Sequence, residues 1–455
     1  MNLIFIVTDT LRADHCGCYG NSWIKTPNID RLARMSVQFN EAHGEGLPTI
    51  QARRVFMTGA EQLPFDDVPA IKGLEPWLRG WYPLKETDVT LADFLREKGY
   101  YNGMVSDLWH FFKPRMNYHR NFDTYDFIRG QERDPWQLRP KGTHDIRDHV
   151  PERLFLKNKP GFTQERLENY LNNTDWITGE EDFFCARTMR SAVRWLENCR
   201  DRAPFFLYVD TFDPHEVFDV PAQYLKLYHQ DYPCERPLYG YGCNHHTVTP
   251  EDIAWIHGLY SAKVTLLDTW VGFLIDGIER LGLMEDTVVC FTSDHGTEFG
   301  EHGKINKSDN QIYRTVTQIP LLIKAPGADA YAGKKIDALV SAVDIAGTLL
   351  RLIGQTPPPQ CTSRDLWKLA TGEAAELRDH LIIGYGESGA VREHDWLMHT
   401  PAEPNARYKT GQIQATPALF DLRNDPGETV NVMDQHPEQR RRLLDLARRV
   451  WPDAM

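Results

Sequence analysis

The stretch LIFIVTDT, residues 3–10, is a short apolar run that is followed by two threonines with a carboxylate, Asp9, between them. A run of five apolar residues is typical of a strand that is buried on both faces, as in a parallel sheet. Three other runs share this character: PFFLYVD (204–210), TVVCFTSD (287–294) and IPLLIKAPG (319–327). The amphipathic segments, which predict helices, are 26–35, 90–99, 185–199 and 260–282. This alternation predicts an α/β fold with a mainly parallel central sheet between two layers of helices.

Composition and charge limit the function. The 455 residues are 41% hydrophobic and 25% charged, which is typical of a globular protein with a sizeable core. A net charge of -13 argues against nucleic acid or an anionic membrane surface as partner, because both require a basic face. The first seven residues lack the features of an export signal, and no run of 18 apolar residues occurs. With eight scattered cysteines, expected to be reduced, the sequence predicts a soluble cytoplasmic protein with a small anionic substrate.

Polar residues follow two of the predicted strands at the point where each ends. Asp9 follows the first strand, and Asp294 and His295 follow the strand near residue 290. Ligands of such sheets bind at the carboxyl ends of the strands, so these side chains are expected to lie close together. Two carboxylates and an imidazole suit a divalent cation such as Mn²⁺, Zn²⁺ or Mg²⁺. An isolated aspartate is more often a cap or turn residue, but three ligands at matching strand ends favour a metal site.

A hydroxyl and a guanidinium are spaced by one helical turn in EGLPTIQARRVFMTG, residues 45–59. Pro48 precedes a predicted helix start, and Thr49 and Arg53 then share one face of the helix. A hydroxyl at a helix N-terminus, beside a guanidinium, can face an oxyanion. The alternative is that Thr49 is an ordinary N-cap.

Three segments together resemble the sulfatase family of the alkaline phosphatase superfamily: NLIFIVTDTLRADHCGCYGNSWIKTPNIDRLA (2–33), TSDHGTEFGEHGKINK (292–307) and ALFDLRNDPGETVNVM (418–433). They occur in the order of the family and spread over nearly the whole chain. The resemblance implies a large α/β domain at residues 1–375, with the central sheet described above. It also implies a small C-terminal α+β domain at residues 376–455, with an antiparallel sheet and a terminal helix. The amphipathic stretch HPEQRRRLLDLARRVW (436–451) agrees with that helix.

The resemblance implies that Asp9, Asp294 and His295 are metal ligands and that Thr49 is the nucleophile. The family motif, Cys or Ser, any residue, Pro, any residue, Arg, falls on TIQAR (49–53). Arg53 keeps its place, whereas Thr49 replaces the Cys or Ser and Gln51 replaces the Pro.

The threonine changes the expected chemistry. Family sulfatases convert the Cys or Ser to formylglycine, and threonine cannot become that aldehyde because its β-carbon carries a methyl group. Its hydroxyl can still attack phosphorus and give a phosphothreonine that water hydrolyses. Within the superfamily, threonine nucleophiles occur in nucleotide pyrophosphatase-type phosphodiesterases and in membrane-bound lipoteichoic acid and phosphoethanolamine transferases. The residue set here is similar to that of the transferases, which use manganese, so Mn²⁺ is expected, with Zn²⁺, Mg²⁺ or Ca²⁺ as alternatives.

Further cationic residues match the family motifs. Lys307, five residues after His302, stands where the family has an anion-binding lysine, and His302 is a substrate-binding candidate beside it. His215 in TFDPHEVF matches a family histidine that contacts the ester or protonates the leaving group. A lone lysine is usually solvated and a lone histidine usually structural, but the match to neighbouring motifs favours a functional role for each.

One family motif is missing. After GYYNGMV (99–105) the family usually has Gly-Lys-Trp-His, whose Lys and His grip the sulfate, whereas this chain has SDLWHFFKP with Asp107 in place of the lysine. The lost cation weakens the case for a sulfate monoester. Trp109, His110 and Lys113 are predicted to line a pocket for a second ester substituent, with simple packing as the alternative.

The sequence therefore predicts a metal-dependent hydrolase of phosphodiesters or phosphonate monoesters. The alternatives are a sulfatase with an atypical nucleophile and a catalytically inactive, anion-binding sulfatase-like protein. Substrate choice is expected to depend on the insertions at 110–180 and 215–255, where His245 and His246 have no assigned role. Family members form monomers, dimers and tetramers, so a homo-oligomer is compatible with the sequence.

Overall fold

The computed structural model describes residues 1–69, 71, 76, 78–151, 154, 162–229, 234, 236–240, 248–307, 312–402 and 415–455. His245 and His246 lie outside the described residues. Within the described ranges the strands form two sheets, one of eight strands and one of five.

The larger sheet is the centre of the fold. Its strands are β1 (Asn2–Thr8), β2 (Val37–His43), β4 (Tyr101–Ser106), β5 (Thr124–Phe127), β6 (Phe205–Thr211), β7 (Thr287–Ser293), β8 (Leu321–Lys324) and β9 (Lys335–Ser341). They lie in the order β5-β4-β6-β1-β7-β8-β2-β9. Every neighbouring pair is parallel except those of β8, which runs antiparallel to both β7 and β2. The predicted mainly parallel sheet is confirmed.

Helices cover both faces of this sheet. The helices in the described ranges are α1 (Pro27–Arg34), α2 (Thr49–Thr58), α3 (Leu91–Glu97), α4 (Phe162–Thr174), α5 (Phe184–Cys199), α6 (Ala222–Leu225), α7 (Pro250–Arg280), α8 (Arg314–Thr317), α9 (Asp344–Leu352), α10 (Trp367–Thr371) and α11 (Pro437–Val450), of which α11 packs against the five-stranded sheet. Alternate side chains of β1 enter two different apolar clusters, because successive residues of a strand point to opposite faces. Leu3 and Phe5 pack in the cluster that contains α2 and α9, whereas Ile4 and Ile6 pack with α1, α5 and α7.

The helix predicted at 260–282 begins ten residues earlier, at Pro250. Thr249 and Asp252 form a capping box: the Thr249 hydroxyl accepts from the Asp252 amide at 3.2 Å, and the Asp252 carboxylate accepts from the Thr249 amide at 3.0 Å. This reciprocal pair satisfies two backbone donors and fixes the helix start. The resulting helix of 31 residues packs on the face of the large sheet to which Ile4 and Ile6 of β1 point.

The smaller sheet is built mainly from the C-terminal part of the chain. Its strands are β3 (Gly46–Leu47), β10 (Leu381–Tyr385), β11 (Ser388–Arg392), β12 (Trp396–Pro401) and β13 (Ala418–Asp421). Strands β10 to β13 are antiparallel neighbours, and β3 adds in parallel to β10 at the edge. The predicted domain boundary after residue 375 falls between α10 and β10. Strand β3 therefore carries the small sheet to within two residues of Thr49.

Two further findings concern the chain as a whole. Among the described helices, none combines the length and apolar character needed to cross a membrane. The seven cysteines in the described ranges are all free thiols.

Helix α11 is joined to the small sheet by Trp451, which is 1% exposed. Trp451→Ala is expected to lower the free energy of unfolding by about 3–5 kcal/mol, because it leaves a large cavity beneath the helix. Urea unfolding followed by circular dichroism measures this. Arg441→Ala on the exposed face of α11 is the control and should change the value by less than about 0.5 kcal/mol. Equal effects of the two substitutions would contradict this account of the packing.

Candidate active site

Four buried charges meet at the carboxyl ends of three adjacent strands. Asp9 follows β1, Asp294 follows β7, and Asp210 is the last residue but one of β6. All three carboxylates contact Arg53 of α2. The guanidinium donates to Asp210 through Nε (3.1 Å) and Nη2 (2.9 Å), and Nη1 donates to Asp9 (2.9 Å) and to Asp294. None of these four side chains is exposed to solvent.

The electrostatics of this cluster favour a further cation. Burial raises the pKa of Asp9 to about 6, and the neighbouring Asp294 carboxylate adds to the rise. Burial also raises the pKa of Asp210. Although burial disfavours a guanidinium ion, the three surrounding carboxylates hold the pKa of Arg53 well above its ordinary value. Three carboxylates face one guanidinium, so the cluster has an excess of negative charge that a divalent ion can neutralise.

The predicted metal ligands converge. His295 Nε2 lies 3.3 Å from Asp294 Oδ2 and 3.8 Å from Asp9 Oδ1, and the three ligand atoms lie within 4.8 Å of one another. Two ligands that each lie about 2.1 Å from one ion, at angles of about 90–110°, are about 3.0–3.4 Å apart. The spacing therefore fits a shared divalent ion after a small closure of the site.

The tautomer of His295 supports the same conclusion. Its Nδ1 donates to the Gly296 carbonyl at 2.8 Å, which leaves the Nε2 lone pair facing the two carboxylates. Burial and the nearby Lys307 lower the pKa of His295 to about 3, so the ring is neutral. Within the described part of the chain, this buried Nε2 has no hydrogen-bond partner. A buried lone pair opposite carboxylate oxygens is unfavourable unless a cation lies between them, so these residues fit a metal ion.

Helix α2 presents Thr49 at this edge of the sheet. Pro48 occupies the N-cap position, so Thr49 is the first helical residue and not the cap. Thr49 is 3% exposed and lies one helical turn before Arg53, on the same face. Gln51, which replaces the proline of the family motif, donates from Nε2 to the Arg79 carbonyl at 2.6 Å. Gln51 therefore ties the first turn of the helix to Arg79, and Arg53 ties the next turn to the strand ends.

His215 and Lys307 form a close pair beside the cluster. Lys307 Nζ lies 2.8 Å from His215 Nε2, and His215 Nδ1 donates to the Glu216 carbonyl at 2.7 Å. Burial and the Lys307 charge hold the pKa of His215 well below its ordinary value, so its Nε2 accepts a hydrogen bond from the ammonium group. The same ammonium charge lowers the pKa of Asp9 and of His295, so Lys307 is close enough to the candidate metal ligands to act on their charge.

A second group of predicted residues lies beside the His215 loop. Trp109 Nε1 donates to Glu132 Oε2 at 3.1 Å, and His110 Nε2 lies 3.3 Å from the same oxygen. The Lys113 ammonium lies 3.8 Å from the centre of the Trp109 ring. The His110 ring is 6.0 Å from the ring of Phe212, which in turn stacks on His215 at 3.9 Å. The structure thus brings these three predicted substrate-binding residues to the side of the site where His215 lies.

Two other candidate residues have protein partners of their own. Asp107 is fully buried and accepts from the hydroxyls of Thr188 (3.0 Å) and Thr211 (2.9 Å). His302 makes hydrogen bonds through both ring nitrogens, at 2.9 Å to Glu298 Oε1 and at 2.9 Å to the Gly427 carbonyl. These contacts engage both nitrogens of His302 and do not favour its prediction as a substrate-binding residue.

Sequence reasoning did not find Asp210 or Glu132. Asp210 ends the run PFFLYVD in the same way that Asp9 ends LIFIVTD, and this repeated signal could have identified it. Glu132 lies in an insertion without a motif, so only the structure reveals its contacts with Trp109 and His110.

Comparisons with known proteins show the family of this chain. Residues 1–355 match a family described as Sulfatase, and residues 300–450 match one described as N-sulphoglucosamine sulphohydrolase, C-terminal. Iduronate 2-sulfatase of Mus musculus is 26% identical over 433 residues, which cover 84% of this chain and 74% of that protein.

Solved structures have the same fold. Phosphonate monoester hydrolase of Agrobacterium radiobacter has a TM-score of 0.72 at 21% identity, covering 98% of this chain and 95% of that chain. A protein solved in complex with its substrate D-glucosamine-2-N,6-O-disulfate has a TM-score of 0.68 at 17% identity, covering 99% of this chain and 98% of that chain. The matched regions span nearly the whole chain and include every candidate metal ligand, and the chain belongs to the sulfatase family of ester hydrolases.

Proposed function

We propose that this chain is a metal-dependent hydrolase of phosphodiesters or phosphonate monoesters, with Thr49 as its nucleophile. The observation that carries the proposal is the placement of Thr49 on the helix that Arg53 ties to Asp9 and Asp294. Because Thr49 is one turn from that guanidinium, its hydroxyl belongs to the same edge of the sheet as the candidate metal ligands.

The chemistry of threonine favours phosphorus over sulfur. Attack by the Thr49 oxygen on phosphorus breaks the bond to the leaving oxygen, and the other substituent stays on phosphorus. The product on threonine is an alkyl phosphothreonine from a phosphodiester, or a phosphonyl-threonine from a phosphonate monoester. Water can then attack phosphorus and release the threonine hydroxyl. A sulfated threonine has no aldehyde through which to expel sulfate, and Asp107 stands where the family has a sulfate-gripping lysine.

The side chains present have complementary roles in this proposal. Asp9, Asp294 and His295 would hold the metal, for which we favour Mn²⁺ over Zn²⁺, Mg²⁺ or Ca²⁺, and the ion would supply Lewis acidity at the reacting centre. Arg53 steadies the ligands and the charge that develops on the non-bridging oxygens.

Lys307 Nζ lies 2.8 Å from His215 Nε2 and donates a hydrogen bond to it. The pair would deliver this proton to the leaving oxygen. Trp109, His110 and Lys113 would contact the second substituent of the ester.

The net charge of -13 supports a small anionic substrate held by local cations, without a nucleic-acid or membrane partner. A cytoplasmic location and a homo-oligomer stay predictions.

A sulfuric ester hydrolase is the second candidate. The observation that favours it is the similarity to iduronate 2-sulfatase, whose name states a sulfate substrate. Similarity to phosphonate monoester hydrolases favours our first proposal, although at 21% identity it shows the fold alone. A catalytically inactive, anion-binding protein is the third candidate. The rates at which the protein cleaves a panel of phosphodiester, phosphonate and sulfate esters distinguish the three candidates.

The first prediction concerns metal binding. His295→Ala should weaken the binding of Mn²⁺ by at least about 10-fold, because it removes one of three ligands from the site. Titration calorimetry of the metal-stripped protein measures the affinity without reference to activity. His380→Ala, on a partly exposed histidine of the small sheet, is the control and should bind as the parent does. Unchanged affinity in His295→Ala would remove His295 from the metal site.

The second prediction concerns the reaction and its nucleophile. Among p-nitrophenyl esters, the Mn²⁺-loaded protein should cleave a phosphodiester or a phosphonate monoester far faster than the sulfate. Thr49→Ala should lower that turnover roughly 10³-fold or more, while metal content and fold stay unchanged. A quenched reaction of the parent protein should carry on Thr49 the part of the substrate that keeps phosphorus, an alkyl phosphoryl or a phosphonyl group, as mass spectrometry can detect.

Thr58→Ala is the matched control for Thr49→Ala, because Thr58 ends the same helix, where its hydroxyl donates to the Arg54 carbonyl at 2.8 Å and accepts from the Ala60 amide at 3.3 Å. It should retain activity. Substantial activity in Thr49→Ala would exclude Thr49 as the nucleophile. A sulfatase activity above every phosphoesterase activity would overturn the choice of substrate, and no cleavage of any ester would favour the inactive reading.

The third prediction concerns the leaving group. His215→Ala should lower turnover roughly 10²-fold for alkyl leaving groups and much less for p-nitrophenolate, which needs little protonation. The measurement is kcat/KM across a series of esters whose leaving groups differ in pKa. Equal losses along the whole series would indicate that His215 binds the substrate and does not take part in proton transfer.

A further inference from the structure

His215 owes its position to a short loop, residues 212–219, that follows β6. The side chain itself is held by ring stacking on Phe212 and by the bond from Nδ1 to the Glu216 carbonyl. Both contacts lie within the loop, so they orient the ring relative to the loop backbone. The distance from His215 Nε2 to Lys307 therefore depends on what fixes that backbone to the rest of the protein.

Backbone bonds from Phe218 to the Tyr239 carbonyl (2.9 Å) and from Asp9 to the Asp213 carbonyl (3.4 Å) contribute to this connection, and a buried cation adds three contacts around His215 itself. Lys263, in the middle of α7, is 2% exposed. Its ammonium group donates to the carbonyls of His215 (2.8 Å) and Val217 (2.6 Å) and forms an ion pair with Asp213 Oδ1 (2.9 Å). A lysine ammonium has three donors, and all three are directed at residues on either side of Glu216.

Asp213 extends the connection to two other parts of the large domain. Its Oδ1 also accepts from Gln131 Nε2 at 3.1 Å, and its Oδ2 accepts from the Cys185 amide at 3.0 Å, at the start of α5. The negative charge of Asp213 is thus balanced by Lys263, and both groups are satisfied. The loop is held between α5, α7 and the segment that also carries Glu132.

Burying a lysine at this position of α7 costs folding free energy. Its neighbours in the helix, Ala262 and Val264, are apolar and fully buried, and an apolar side chain would avoid the cost of removing an ammonium group from water. The cation is nevertheless committed entirely to one loop. This contrast indicates that the contacts serve the geometry of the loop.

We propose that Lys263 is a positioning residue for His215: it fixes the backbone of the loop so that His215 Nε2 stays within hydrogen-bond distance of Lys307. Lys263 acts through the loop and touches no substrate. The catalytic consequence rests on the proposed function, in which the His215–Lys307 pair delivers a proton to the leaving oxygen.

The test compares three forms of the metal-loaded, full-length protein. Lys263→Met alone would leave Asp213 as an unpaired buried charge and can unfold the protein, so the informative variant is Lys263→Met combined with Asp213→Asn. Asp213→Asn alone is the matched control: it leaves Lys263 without its carboxylate, so circular dichroism must first show that it is folded, but Lys263 then still donates to both carbonyls of the loop. Lys324→Met is a second control: Lys324 pairs with Val289 near the start of β7, away from the strand ends of the site, and donates to the Met284 carbonyl.

Two measurements are made on each form. The first is a crystal structure, in which the double variant should show His215 Nε2 beyond the 3.5 Å hydrogen-bond limit from Lys307 Nζ, with the parent distance of 2.8 Å kept in both controls. The second is kcat/KM for alkyl and p-nitrophenyl esters. The double variant should lose about 10-fold or more with the alkyl ester and less than about 3-fold with the p-nitrophenyl ester.

The two measurements separate the inference from the proposed function. A double variant that keeps the His215–Lys307 bond in the crystal overturns the positioning role, whatever its activity. A displaced His215 with no change in leaving-group dependence supports the positioning role and counts against proton delivery by His215. In the double-variant background, His215→Ala should add little further loss with the alkyl ester, because both changes remove the same interaction.

Discussion

The buried ion cluster around Arg53 is the interaction on which the site depends. One guanidinium joins the ends of β1, β6 and β7 through Asp9, Asp210 and Asp294, and none of the four groups is exposed. Such a cluster is costly to bury unless every partner is present, because a lone charge in this position would have no compensation. The strand ends, α2 and the candidate metal ligands are therefore fixed relative to one another as a single unit.

The small sheet contributes to the same site although its strands come mostly from the other end of the chain. Strand β3 pairs with β10 directly before α2 begins, so the small sheet helps to set where the helix starts. A second connection lies near Glu428, which accepts from the Arg314 amide at 2.7 Å and from Arg392 Nη1 at 2.9 Å. His302 adds a third through the Gly427 carbonyl. These contacts make the C-terminal region part of the framework of the candidate active site.

Two departures from the family pattern occur in positions that the structure accommodates. Threonine in place of the family Cys or Ser keeps a hydroxyl at the helix start, while the neighbouring Gln51 takes up a backbone contact that proline could not make. Asp107, in place of the family lysine, carries a negative charge and does not attract an anion. Its carboxylate accepts from the Thr211 hydroxyl and the Phe212 amide, and these bonds fix the start of the His215 loop. The charge of Arg53 is outweighed by the three carboxylates around it, so Lys307 is a cation of the site that is not already neutralised by the Arg53 cluster.

The sequence by itself determined the fold class, four strands of the large sheet, several helices and the three candidate metal ligands, because these depend on local periodicity or on residues that directly follow a strand. It also determined the family, through three segments that resemble the motifs of that family. The tertiary structure alone decided which distant groups meet. Asp210 with Arg53, Glu132 with Trp109 and His110, Lys263 with the His215 loop, and β3 with β10 are contacts between segments separated by tens to hundreds of residues. These contacts depend on the order of the strands in the sheets, and that order cannot be predicted from a local pattern of residues.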